Sequence, residues 1–103
     1  MRPVVVLVAL ALALGGCNAF RGAVLYRDGT RALEEGRTVE AIAALEEAAR
    51  RAPGASEVQN HLGLAYLAAG RDGDARRAFE RAVALDCDNR AAAHNLQALE
   101  ASP

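Results

Sequence analysis

The side chains best suited to metal or nucleophilic chemistry in this chain are two histidines and two cysteines. His61 and His94 stand 33 residues apart. A pair of imidazoles can begin a zinc site, but without a third protein ligand it rarely completes one; polar lining of a groove is the better reading. Cys87 with His94 suggests a thiol nucleophile activated by a neighbouring base. Nothing orients that histidine, so Cys87 is expected to be a structural thiol. No Gly-rich phosphate loop, metal-ligand motif or nucleophile elbow occurs in the chain. These residues therefore predict a protein that is not an enzyme, with no metal site and no small-molecule substrate.

Cys17 has a different setting. Met1-Arg2 gives a short positive start, and Val4–Leu14 is an unbroken apolar run of 11 residues. A span across a bilayer needs about 20, so the run fits the apolar region of a secretory signal peptide. It ends in Leu14-Gly15-Gly16-Cys17, which resembles the lipobox of bacterial lipoproteins at all four positions. The resemblance implies cleavage just before Cys17, which would become the mature N-terminus and carry the lipid. The covalent lipid on Cys17 is then the one non-protein group expected, and no other cofactor is. Several acyl chains hold a protein stably where one does so only marginally. Asn18, standing where Asp would retain such a protein in the inner membrane, implies the outer membrane, facing the periplasm. The bland alternative is an ordinary signal peptide with an accidental cysteine. With Cys17 acylated, Cys87 has no disulfide partner in the chain.

The elements behind these residues follow from composition and period. The 103 residues carry 12 basic and 13 acidic side chains, with no basic block to suggest nucleic acid. Alanine supplies much of the apolar content and aromatics are few, which favours thin, closely packed helices over a β-sandwich. Gly22–Ala55 laid over Ser56–Asn89 without gaps gives nine identical pairs, among them Val24/Val58, Gly29/Gly63, Leu33/Leu67, Gly36/Gly70, Ala41/Ala75 and Ala48/Ala82. A fixed 34-residue period marks stacked helical pairs.

The pattern predicts helices over 21–35, 38–51, 56–69, 72–85 and 89–101. Gly36-Arg37, Pro53-Gly54 and Gly70-Arg71-Asp72-Gly73 break the chain between them. Thr38 and Asp72 suit helix N-caps, and Ser56 with Gln59 reads as a capping box. Gly29 and Gly63 lie inside helices, where Gly costs about 1 kcal/mol relative to Ala. Close approach of a partner helix would explain them, with Ala41 and Ala75 as the expected opposite numbers. Leu45 and Phe79 are expected to fill the space between paired helices.

These positions resemble the tetratricopeptide repeat. Leu62-Gly63, Tyr66, Ala75, Phe79 and Ala82 carry the likeness in the second copy; Gly29, Ala41, Leu45, Ala48 and Pro53 carry it in the first. The resemblance implies an all-α fold, a right-handed solenoid of helical hairpins: repeat 1 over 22–55, repeat 2 over 56–89 and a C-terminal capping helix over 90–101. Before them stand the cleaved signal peptide, 1–16, and a lipidated N-terminus with a short tether, 17–21. Three departures stand out. Asp28 replaces the usual Leu, Gln59 the usual bulky aromatic, and Cys87 the terminating Pro, although Asp86 and Asp88 can still turn the chain.

In that family the first helix of each repeat lines a concave groove that accepts a peptide or helix. Carried onto this chain, the lining is Tyr26, Thr30 and Leu33, then Asn60, Leu64 and Leu67, then His94. Leu33 and Leu67 could equally pack within the solenoid. The places that clamp a C-terminal carboxylate in some relatives hold Tyr26, Thr30 and Ala91, so that clamp is not expected. Three extended residues between Cys17 and the first helix reach about 10 Å, which would hold the solenoid against the membrane. The expected function is a membrane-anchored scaffold whose partner is a membrane-proximal protein. Alternatives are a helper lipoprotein of pilus or secretion-system assembly, and a self-associating envelope protein whose Ala-rich cap meets a second copy.

Overall fold

The computed structural model describes the backbone of residues 3–103 and the side chains of residues 17–103. The expected signal peptide, 1–16, with the lipobox residues Leu14, Gly15 and Gly16, lies outside the residues whose side chains are described. Among the described residues the chain is all-helical: α1 Pro3–Glu34, α2 Thr38–Arg51, α3 Ser56–Ala68, α4 Asp72–Leu85 and α5 Arg90–Ala101. The extended tether expected at 18–20 is instead part of α1. At 1.5 Å per residue these three residues rise only about 4.5 Å, so Cys17 sits closer to the packed body than a fully extended linker would place it.

Each hairpin turns in the same way. Gly36 and Gly70 adopt left-handed φ of 75° and 74°, which a side chain resists and glycine does not. Their N–H groups donate to Leu33 O and Leu67 O, and the next residues, Arg37 and Arg71, donate to Ala32 O and Tyr66 O at 2.8 Å. This double closure satisfies the last carbonyls of α1 and α3 and reverses the chain within three residues. It also moves the N-cap. Arg37 and Arg71, not Thr38 and Asp72, precede α2 and α4, and no side chain caps them. Thr38 and Asp72 are already helical.

The turns between units are also built alike. Ala55 N donates to Ala52 O around Pro53-Gly54, and Asn89 N donates to Asp86 O around Cys87-Asp88, both at 3.1 Å. Cys87 takes the place of Pro53, and the Asp86 carboxylate accepts from Asp88 N at 2.9 Å to hold the bend. Pro53 is exposed and shapes the turn without packing. Cys87 is exposed too, so its thiol fills no core space.

The core runs between the paired helices. Ala41, Leu45, Ala48, Ala75, Phe79 and Ala82 are fully buried, and Leu62 nearly so. A Cβ added at Gly29 would stand 2.7 Å from Leu45 Cγ, and one at Gly63 2.6 Å from Phe79 Cδ1. The two glycines therefore receive the large fillers Leu45 and Phe79, not Ala41 and Ala75 as expected. Half-buried Tyr26, Leu33 and Tyr66 pack against the buried cluster of Ala32, Ala41, Ile42, Leu45, Leu62 and Ala65.

The expected capping box at Ser56 is absent. Ala55 is the N-cap residue of α3, and Ser56 points inward. Its hydroxyl donates to Ala82 O at 2.8 Å and accepts from Asn89 Nδ2 at 2.8 Å. Asn89 Oδ1 in turn accepts from Ala92 N, capping α5. One buried polar chain thus ties the start of α3, the end of α4 and the start of α5 together. Gln59 is left 8% exposed with its Oε1 unpartnered.

Candidate protein-interaction face

Helix order decides which surface is inner. The α1–α2 and α3–α4 hairpins pack most extensively, α2–α3 and α4–α5 join the units, and α1–α3 and α3–α5 touch lightly. Among the described residues α2 and α4 do not touch. The first helices therefore converge on one face, and the second helices splay on the other.

Two polar contacts bridge the converging helices. Tyr26 on α1 meets His61 on α3 edge to face, ring centroids 5.2 Å apart, with the phenol oxygen 3.2 Å from His61 Nδ1. The same Nδ1 lies 3.0 Å from the Glu57 carbonyl oxygen. Deprotonated there, it accepts from the Tyr26 hydroxyl; protonated, it donates to the carbonyl. Burial, followed by the charge of Glu57, pushes the Tyr26 phenol above its ordinary pKa, so it remains a donor at neutral pH. Asn95 Nδ2 on α5 donates to Asn60 Oδ1 on α3 at 2.9 Å.

Both bridges join residues 35 apart, one more than the repeat. The sequence places His61 beside His94, 33 residues away; the fold turns His61 back to Tyr26 instead. Among the described residues no cluster of three His, Cys, Asp or Glu could hold a metal. Asn95 was not among the expected lining residues, and Tyr26 was not foreseen as the partner of His61. The signal that could have found them is this 35-residue spacing, recurring once per unit.

The other lining residues divide by role. Asn60 is buried and committed to Asn95, and Leu33 packs on the core. Thr30 is half-buried, its hydroxyl donating to Arg27 O at 2.9 Å. Leu64 and Leu67 are half-buried, and His94 is exposed. The inner face is thus a fixed row of polar bridges with Thr30, Leu64, Leu67 and His94 offered beside it. Such a mix suits a peptide or helix that needs apolar contact and a few hydrogen bonds.

The outer helices carry self-paired charge. Arg50 and Arg51 both reach Glu47, at 2.7 and 2.9 Å, and Arg71 reaches Asp74 at 2.8 Å, with Arg77 on the same carboxylate. Hydrogen bonds from these arginines hold Glu47 and Asp74 below the usual carboxylate range. A second concavity, not foreseen from the sequence, opens at the start of the solenoid between α1 and α2, lined by Phe20, Arg21, Val24, Leu25, Glu47 and Arg51.

The family model described as Tetratricopeptide repeat matches residues 32–100, two thirds of the chain and both hairpin turns. That family is a non-catalytic protein-interaction fold. None of the curated proteins matches the chain.

Proposed function

The chain belongs to the tetratricopeptide repeat family, and from that premise we propose that it is a membrane-anchored scaffold that binds a segment of a membrane-proximal protein on its inner face. The observation that carries the proposal is the pair of bridges, Tyr26 to His61 and Asn60 to Asn95. They fix the three inner helices relative to one another while Thr30, Leu64, Leu67 and His94 remain accessible in part. A surface held in place before binding loses less entropy on complex formation. The anchor rests on the lipobox-like Leu14-Gly15-Gly16-Cys17, and Asn18 beside it supports the outer membrane as the site. Cys17 is exposed, as acylation requires.

Self-association is the second reading, favoured by α5. Leu96 and Leu99 are half-buried, where their counterparts one repeat earlier, Leu62 and Ala65, are buried. Photo-crosslinkers at Leu64 and His94, compared with Val39 on the outer face, separate the readings in native membranes. Bands to another protein from the inner positions only are expected. Homodimer bands alone favour self-association, and equal crosslinking from Val39 overturns the inner face as the binding surface.

A further inference from the structure

The open end of the first unit differs from the matching face of the second. In unit 2, α3 rests on α2, and Val58 and Gln59 are buried. Their counterparts one repeat earlier, Val24 and Leu25, are only half-buried, because no described helix precedes them. They floor an open cleft of about 360 Å³ with Phe20, Arg21, Glu47 and Arg51 around it. A second cleft shares Phe20, Arg21 and Arg51 and reaches Asn18 and Cys17.

The rim is not built for another stacked helix. Where unit 2 has Gly54, Ala55 and Leu85, unit 1 has Phe20, Arg21 and Arg51. A helix laid here would bury guanidinium groups, which is costly without paired anions. Arg51 already shares Glu47 with Arg50 and donates to Asn18 Oδ1 at 3.0 Å, and with Arg21 beside it the cleft is lined by two arginines and one carboxylate. Phe20, by contrast, is 71% exposed. An exposed Phe beside an apolar floor, with arginines at its edge, is the chemistry of a membrane–water interface, where apolar side chains enter below the headgroups and arginines meet anionic lipid. Position agrees: Cys17, Phe20, Arg21 and Val24 are spaced i, i+3, i+4, i+7 on α1, which is one helix face.

We propose that this end of the solenoid is a docking surface for anionic phospholipid, with Val24, Leu25 and Phe20 against the acyl–glycerol region and Arg21 and Arg51 on the phosphates. The surface deepens the anchored-scaffold reading: it fixes the orientation of the solenoid on the membrane, where a lipid on Cys17 alone would leave it free to swing.

The chain has no tryptophan, so Phe20→Trp and Val39→Trp each give a single reporter in the full chain. Both are reconstituted into phosphatidylcholine vesicles with brominated acyl chains, with and without phosphatidylglycerol. Emission from position 20 is expected to shift blue and be quenched, more so with phosphatidylglycerol, while position 39 stays solvent-like. Arg21→Gln and Arg51→Gln, in the Phe20→Trp background, are each expected to lower the docked fraction's equilibrium constant about five-fold in phosphatidylglycerol vesicles. Solvent-like emission at position 20 in both vesicles overturns the proposal, as does a blue shift that depends on protein concentration and not on lipid, which would mean a second copy seated there. Labelling with a palmitate analogue, run in parallel, reads the anchor alone. A labelled chain whose reporter at position 20 stays unquenched sinks the docking surface and leaves the anchor standing; quenching in an unlabelled chain does the reverse.

Discussion

The two hairpins share a backbone plan and differ in what fills it. Unit 2 closes its centre with the Phe79 ring against Gly63, and unit 1 uses Leu45 against Gly29. Unit 2 is bolted to its neighbour by the Ser56–Ala82–Asn89 chain of hydrogen bonds, where unit 1 has Gly22 and Ala55 at the same places. Unit 2 buries Gln59, and unit 1 leaves Leu25 half-exposed. The difference separates two tasks. The inner unit, covered on both sides, carries the stability of the stack, and the outer unit keeps a face open.

Removing the fillers is the harshest test of that division. Phe79→Ala is expected to destabilise the chain by about 3–5 kcal/mol and Leu45→Ala by about 2–5, with the aromatic the more costly. Chemical denaturation checks this, and an equal or reversed order breaks the contrast. The glycines come next. Gly63→Ala sets a methyl against the Phe79 ring, and Gly29→Ala sets one against the smaller, fully buried Leu45 side chain. Overpacking of about 1–3 kcal/mol is expected at Gly63, set against a gain near 1 kcal/mol in helix propensity. At Gly29 a net loss is also expected, smaller than at Gly63 because the opposing side chain is smaller.

The polar bolt gives a smaller, coupled effect. Ser56→Ala and Asn89→Ala are each expected to cost about 1–2 kcal/mol. In a double-mutant cycle they should fall short of additive, since they share a bond. Full additivity would mean the two act separately. Gln59→Met is expected to move the other way, stabilising by about 1 kcal/mol as the unpartnered Oε1 leaves the core; a loss of stability would show that Gln59 has a partner after all.

Much of this architecture is legible in the 34-residue period, because Gly, Ala and one large filler per hairpin leave few other ways to pack two helices. What the period hides is side-chain direction. Ser56 and Gln59 have the spacing of a capping box, yet the turn at Pro53-Gly54 places the helix start one residue earlier and aims Ser56 into the core. His61 and His94 read as neighbours by repeat arithmetic, but the stagger between units is one residue longer than the repeat, and this brings Tyr26 to His61. The clefts near Cys17 were not legible because they open where no described helix covers Val24 and Leu25, which no local pattern records.

The smallest expected effect concerns charge on the outer helices. Glu47 and Asp74 are held below their unfolded carboxylate values by Arg50 and Arg51, and by Arg71 and Arg77. Folding then releases protons at low pH, so their contribution is present above the ordinary carboxylate range, near 4, and is lost as pH falls through the depressed folded values. Both are solvent-screened, so the slope should be slight. Glu47→Gln and Asp74→Asn should each flatten the acid limb of a pH–stability curve, about equally in the two units. A steepened acid limb in either variant would contradict the pairing.

The measurement closest to the heart of the matter is mass spectrometry of the mature protein extracted from its native membranes. A chain beginning at Cys17 with acyl groups on that residue is the expected result. A free thiol at Cys17, or cleavage elsewhere, would leave the inner face without the membrane it is proposed to serve.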